Sequence, residues 1–169
     1  MKKTLAVLLT AAIAFLLFGC ATVPEESEDG IPNPLRESTA DEILQTLGIT
    51  FNLPQEAQDV SYSIIEIAEA NPIAQAQFTL NDAGYAYRIQ STDAFTDISG
   101  SYYDWTTIEA IDIAYCSGEL RYIEGGAGIC LWYDIVPGLM YSVSTDTGTS
   151  RDSLLSLADE LYVPAKDVP

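Results

Sequence analysis

The sequence contains no histidine and little positive charge: 7 Lys+Arg stand against 25 Asp+Glu, for a formal charge of −18. Without histidine there is no Ser-His-Asp or Cys-His catalytic arrangement, no histidine-ligated zinc and no imidazole to titrate near neutral pH. A surface this acidic is repelled by phosphates, which excludes nucleic acid and polybasic docking onto anionic lipid. Cysteine is scarce too, at three residues, and after Lys2 and Lys3 the only lysine is Lys166.

What is present begins with a charged start and an apolar run over residues 5–18, then Gly19 and Cys20, the layout of a signal peptide. The run is short of the ~20 residues needed to span a bilayer. Leu17-Phe18-Gly19-Cys20 resembles a bacterial lipobox, which implies cleavage before Cys20 and diacylation of its sulfur. At about 0.8 kcal/mol per buried CH₂, two acyl chains anchor a protein firmly. The expected address is therefore the outer face of the cell membrane, with the lipid bilayer as a partner through acylated Cys20. Residues 20–37, with Pro24, Pro32, Pro34 and the acids Glu25, Glu26, Glu28 and Asp29, offer almost nothing to bury and predict a disordered acidic tether. The remainder, 38–164, is one domain's worth of chain, followed by a tail over 165–169.

Within that domain, the Thr39/Glu42 spacing of a capping box and the stripe Ile43, Leu44, Leu47 predict a helix over 40–47. Alternating β-branched and aromatic residues predict strands over 60–67, 74–80 and 85–90, the last two joined by a turn at Asn81-Asp82-Ala83-Gly84. A polar loop over 91–100 precedes a strand from 102 that bends before 111–116. Strands over 119–124 and 129–134 flank Gly125-Gly126-Ala127-Gly128, and another covers 139–145. The helical spacing of Leu154, Leu155, Leu157, Ala158 and Leu161 after Ser150 predicts a last helix, closed by Pro164. The expected fold class is α+β: an antiparallel meander sheet of about six strands with an N-terminal and a C-terminal helix packed on one face.

Several short motifs carry a resemblance over residues 42–162: Leu53-Pro54 after the first helix, Arg88, Asp97-Ile98-Ser99-Gly100 followed by Tyr102 or Tyr103, Trp132 with Asp134, and Tyr141-Ser142 before the last helix. In these the chain resembles a family of extracytoplasmic domains, classed as a domain of unknown function, found in lipoproteins and membrane-tethered proteins of Gram-positive bacteria. It departs from that pattern by inserting Ile135-Val136-Pro137-Gly138, which leaves the register of the last hairpin open. The resemblance implies a compact α+β domain outside the membrane and supplies no catalytic residues.

An extracytoplasmic address permits a disulfide between Cys116 and Cys130, worth about 3 kcal/mol, and also permits two packed free thiols. If Ile123 faces Cys130 across the glycine-rich turn, Cys116 lies roughly 20 Å along the strand, and a bridge needs a bend at Ser117-Gly118. Asp93, Asp97, Ser99 and Asp104 offer oxygens to calcium but lack EF-hand spacing. The alternative is that Asp97 and Ser99 bond to backbone N–H groups while Gly100 takes a left-handed angle, with Arg88 pairing Asp97 to pin loop to sheet. Ten tyrosines and two tryptophans suggest stacking on a glycan. Tyr85 and Tyr87 share a strand face, Tyr103 and Trp105 share another, and Trp132 and Tyr141 complete the aromatic candidates, although Trp132 is expected to anchor the core. Ser99, Ser101, Ser117, Ser142 and Ser144 have no histidine partner, and no catalytic, metal or cofactor site is predicted. The expected role is a non-catalytic binding or sensing module for an envelope protein, glycan or peptide. A lipid or lipopeptide carrier and a carboxylate-based hydrolase are the alternatives.

Overall fold

Thr39 opens the first helix as the spacing predicts, its hydroxyl accepting from the Glu42 N–H, while the Glu42 carboxylate accepts from Arg36 and Ser38 instead of returning to the cap. A computed structural model describes residues 34–164; the expected signal peptide, Cys20, the acidic segment up to residue 33 and the tail 165–169 lie outside the described residues. Two helices, α1 (Ala40–Leu47) and α2 (Arg151–Leu161), accompany eight strands: β1 (Leu35–Ser38), β2 (Gln58–Ile65), β3 (Ile73–Leu80), β4 (Ala83–Ser91), β5 (Thr107–Ile113), β6 (Cys116–Tyr122), β7 (Gly128–Asp134) and β8 (Leu139–Thr145). The class is α+β and the sheet antiparallel, with eight strands rather than about six.

Seven of these strands overlap segments expected from the sequence, and the one added is β1. β1 lies inside the stretch expected to be tether. Its residues have little to bury and are drawn into order by backbone pairing with β2, from Leu35 opposite Ile65 to Ser38 opposite Tyr62. β5 and β6, expected up to 116 and from 119, instead turn at Ala114-Tyr115 in a tight hairpin, where Ala114 holds a left-handed φ of 51°. Ser117 and Gly118, where a disulfide would have needed a bend, sit in regular pairing with Tyr133 and Trp132. A Cβ on Gly118 would come within 2.5 Å of the Leu131 carbonyl oxygen, so this position needs a glycine for close approach of two strands.

The strand order is β1-β2-β3-β4-β8-β7-β6-β5. Two four-stranded meanders are thus joined edge to edge by β4 and β8, and the connection over 92–106 carries the chain from the middle of the sheet to its far edge. Tyr103 and Trp105 belong to this connection and not to a strand. The hairpin left open by the insertion has a definite register, with Asp134 opposite Leu139 across the turn 135–138. Alternation along β7 divides the interior in two. Cys130 and Trp132 join a large buried cluster that also holds Ile43 of α1 and Leu154, Leu157, Ala158 and Leu161 of α2, whereas Ile129 and Leu131 join a smaller one with Ile73, Ile98 and Met140.

Candidate binding cleft

The connection is held on the smaller cluster by Arg88. Its Nη1 donates to the carbonyl oxygens of Ile98 (3.0 Å) and Ser99 (2.6 Å), and its Nε donates to Gln75 Oε1 at 2.7 Å. The expected Arg88–Asp97 ion pair is not made. Asp97 pairs with Arg121 at 2.7 Å and accepts from the Ser99 N–H and hydroxyl, while Ser99 Oγ accepts from the Ser101 N–H. The guanidinium prefers carbonyls here because the loop presents its backbone to the sheet, leaving the Asp97 carboxylate to reach a cation on β6. Gly100 has φ of 66°, and a Cβ there would collide with Arg88 Nη1. Gly100→Ala is expected to lower stability by about 1–3 kcal/mol from backbone strain, read as a reduced urea midpoint with an unchanged slope. A midpoint equal to that of the parent would remove Arg88 and Gly100 as the fastening of the connection.

Of the aromatic candidates, Trp132 is fully buried, stacked on Tyr141 (centroids 5.2 Å apart) and Tyr87 (6.1 Å) and met edge-on by Tyr162. Its Nε1 has no hydrogen-bond partner among the described residues. Tyr85 stacks on Phe78, and Tyr87 is buried. Tyr103 packs edge-on against Trp105 and donates to Asp146, whose carboxylate holds the phenol above its ordinary pKa; Trp105 in turn packs on the smaller cluster. Among the described residues these candidates therefore form no row of free aromatic rings on the sheet. All six candidate rings named for stacking are occupied in the interior or against neighbouring rings, because large flat side chains on a pleated face are the ones the core recruits first.

Cys116 and Cys130 are both buried and free, correcting the disulfide alternative. The partner of Cys130 is Leu120 and not Ile123, which places Cys116 four residues further along β6. That is about 13 Å at strand rise, beyond the ~7 Å that a bridge allows. Cys116 belongs instead to a polar knot that the sequence did not disclose. Asp134, itself buried, accepts on Oδ2 from the hydroxyls of Tyr162 and Tyr115 and on Oδ1 from the Val136 N–H, and the Cys116 thiol lies 3.2 Å from the Tyr162 hydroxyl. Burial pushes the Tyr162 phenol and the Cys116 thiol up from their ordinary values. The pairing of Trp132 with Asp134 in the sequence was the available signal, but nothing in it named tyrosines from two distant segments.

Beside the aromatic stack is a cleft of about 400 Å³ between the segment that follows α1 and strands β4 and β8. Ile49, Phe51, Tyr87, Leu139, Tyr141 and Val163 are half of its lining residues, and no acidic side chain is among the described residues that line it. Its size and apolar lining are those of a small-molecule site. The Tyr141 hydroxyl has no hydrogen-bond partner among the described residues. A more polar recess of about 750 Å³ lies by the connection. Its polar groups hold the loop: Asn71 donates to the Ser91 carbonyl, Gln90 to the Asn71 carbonyl, and Asp97 pairs as above.

Among the described residues no three or more Cys, Asp or Glu side chains gather as a metal site, and no helix is long and apolar enough to cross a membrane. No family model matches the chain, and no curated protein or solved structure matches it.

Proposed function

We propose that this protein is a membrane-anchored, extracytoplasmic lipoprotein, akin to the Gram-positive domain family it resembles, and that its domain is a non-catalytic binding module for a ligand presenting an apolar group. In this reading both helices cover the sheet face that carries the aromatic stack, and the cleft beside that stack is the binding site. The observation that carries it is the lining of the cleft: largely apolar and aromatic walls, Tyr141 among them, with no Asp or Glu among the described residues that line it. Such walls bind by shape and by removal of apolar surface from water. The volume suits one chain or ring of a ligand and is small for enclosing a two-chain lipid, which favours a binding module over a carrier.

Native mass spectrometry of the protein purified gently from its host's envelope tests this. A stoichiometric adduct is expected, and Thr50→Trp, at an exposed position lining the cleft, is expected to lower its occupancy about tenfold, equivalent to about 1.4 kcal/mol. A clean unliganded mass, or an adduct indifferent to Thr50→Trp, would remove the cleft from the reading.

A further inference from the structure

Four large apolar side chains stand in solvent at one end of the sheet: Tyr115 (58% exposed), Ile135 (77%), Val136 (74%) and Val163 (61%). They come from three separate places, the β5–β6 turn, the β7–β8 turn and the residues after α2, and the buried Asp134 fastens all three. It binds Tyr115 in the first, the Val136 N–H in the second and Tyr162, next to Val163, in the third. Tyr115 and Tyr162 also pack edge to face at 6.1 Å. In so acidic a chain, residues 114–118, 135–138 and 161–164 contain no charged side chain. A buried carboxylate used to hold exposed apolar turns together marks a built surface, since singly scattered apolar residues would need no such fastening.

The register shows where the chain arrives. Leu35 pairs with Ile65, Ile65 with Ile73, Ile73 with Gln90 and Gln90 with Met140, so the start of β1 lies level with the start of β8, at the end that carries Ile135 and Val136. The connection from Cys20 to Leu35 is about 14 residues, with a reach of at most about 50 Å.

We propose that this apolar end is a membrane-contact surface, with Ile135 and Val136 dipping into the neutral interfacial region of the bilayer to which Cys20 is anchored. The inference rests on the lipid-anchored reading of Cys20. A second copy is the poorer occupant, because it carries the same net negative charge. The anchor holds the domain close to lipid, so a weak insertion suffices.

The test holds the chain 21–169 on phosphatidylcholine vesicles through an N-terminal hexahistidine and a nickel-chelating lipid, so that it does not depend on acylation. An environment-sensitive nitrobenzoxadiazole label is placed at Val136→Cys, or at Glu124→Cys in the opposite turn, the buried native thiols being shielded. The label at 136 is expected to brighten severalfold on vesicles and to be quenched by brominated lipid, with the gain largely lost in Ile135→Asp; the label at 124 stays as in water. Equal behaviour of the two labels, or brightening that follows protein concentration without vesicles, would overturn the proposal. Separately, an N-terminal peptide from host cells without acyl groups on Cys20 would overturn the anchored reading, whatever the vesicles report.

Discussion

Trp132→Ala is expected to lower the unfolding free energy by about 3–5 kcal/mol, the range for deleting a large aromatic side chain from a packed interior. The indole is fully buried between two stacked tyrosines and a third edge-on ring. Removing it opens a hole that rigid rings on three sides cannot close. Trp132→Phe should cost much less, because Nε1 has no partner to lose. Urea unfolding followed by far-ultraviolet circular dichroism measures both. Equal losses for the two variants would mean that the indole nitrogen matters and that the packing account is wrong.

The second large effect is loss of stability in alkali. Burial pushes the Cys130 thiol from 9.0 to about 12, and burial likewise raises Tyr87, Tyr141, Tyr162 and Cys116. Each group stays neutral in the fold at a pH where the unfolded chain has begun to release its proton. Above pH 9 the unfolded state therefore binds fewer protons than the native one, and stability falls as pH rises. The contribution of Cys130 is complete below about pH 9 and is lost by about pH 12, amounting to about 4 kcal/mol. Urea midpoints at pH 7, 9, 10 and 11 should fall progressively beyond pH 9, less steeply in Cys130→Ala once its lower starting stability is subtracted. A midpoint constant to pH 11 would show that these groups ionise inside the fold without cost.

The helices were legible because capping chemistry is local: Thr39 and Ser150 each bond to the backbone three residues ahead. The hairpin between β3 and β4 was legible for the same reason, its turn residues standing between two alternating runs. β1 was not, since Leu35–Ser38 has no pattern of its own and is ordered by its neighbour. The turn at Ala114 was missed because alanine seldom adopts a left-handed angle, and Gly118, between the two expected strands, serves strand packing. For the site, the turn made by Asp97, Ser99 and Gly100 could be read from spacing. Arg88's choice of carbonyls over Asp97 depended on which face of the loop meets the sheet. The cleft and the Asp134 knot join segments far apart in sequence, and neither has a local signature.

The join between β4 and β8 also sets an order of assembly. Each meander closes through short connections, whereas Ala86 and Ser144 meet across 58 residues, a contact that must wait for the whole second half. Until then the inner edge of β4 is an open template, and the β8 of any other molecule fits it as well as its own does. Besides that join, the connection is tied to the first half by Arg88 and to the second by Asp97 on Arg121 and by Ile98 in the cluster with Ile129 and Leu131. With those contacts released the connection would serve as a hinge, and exchange of second halves between two molecules would preserve every strand pairing within the sheet.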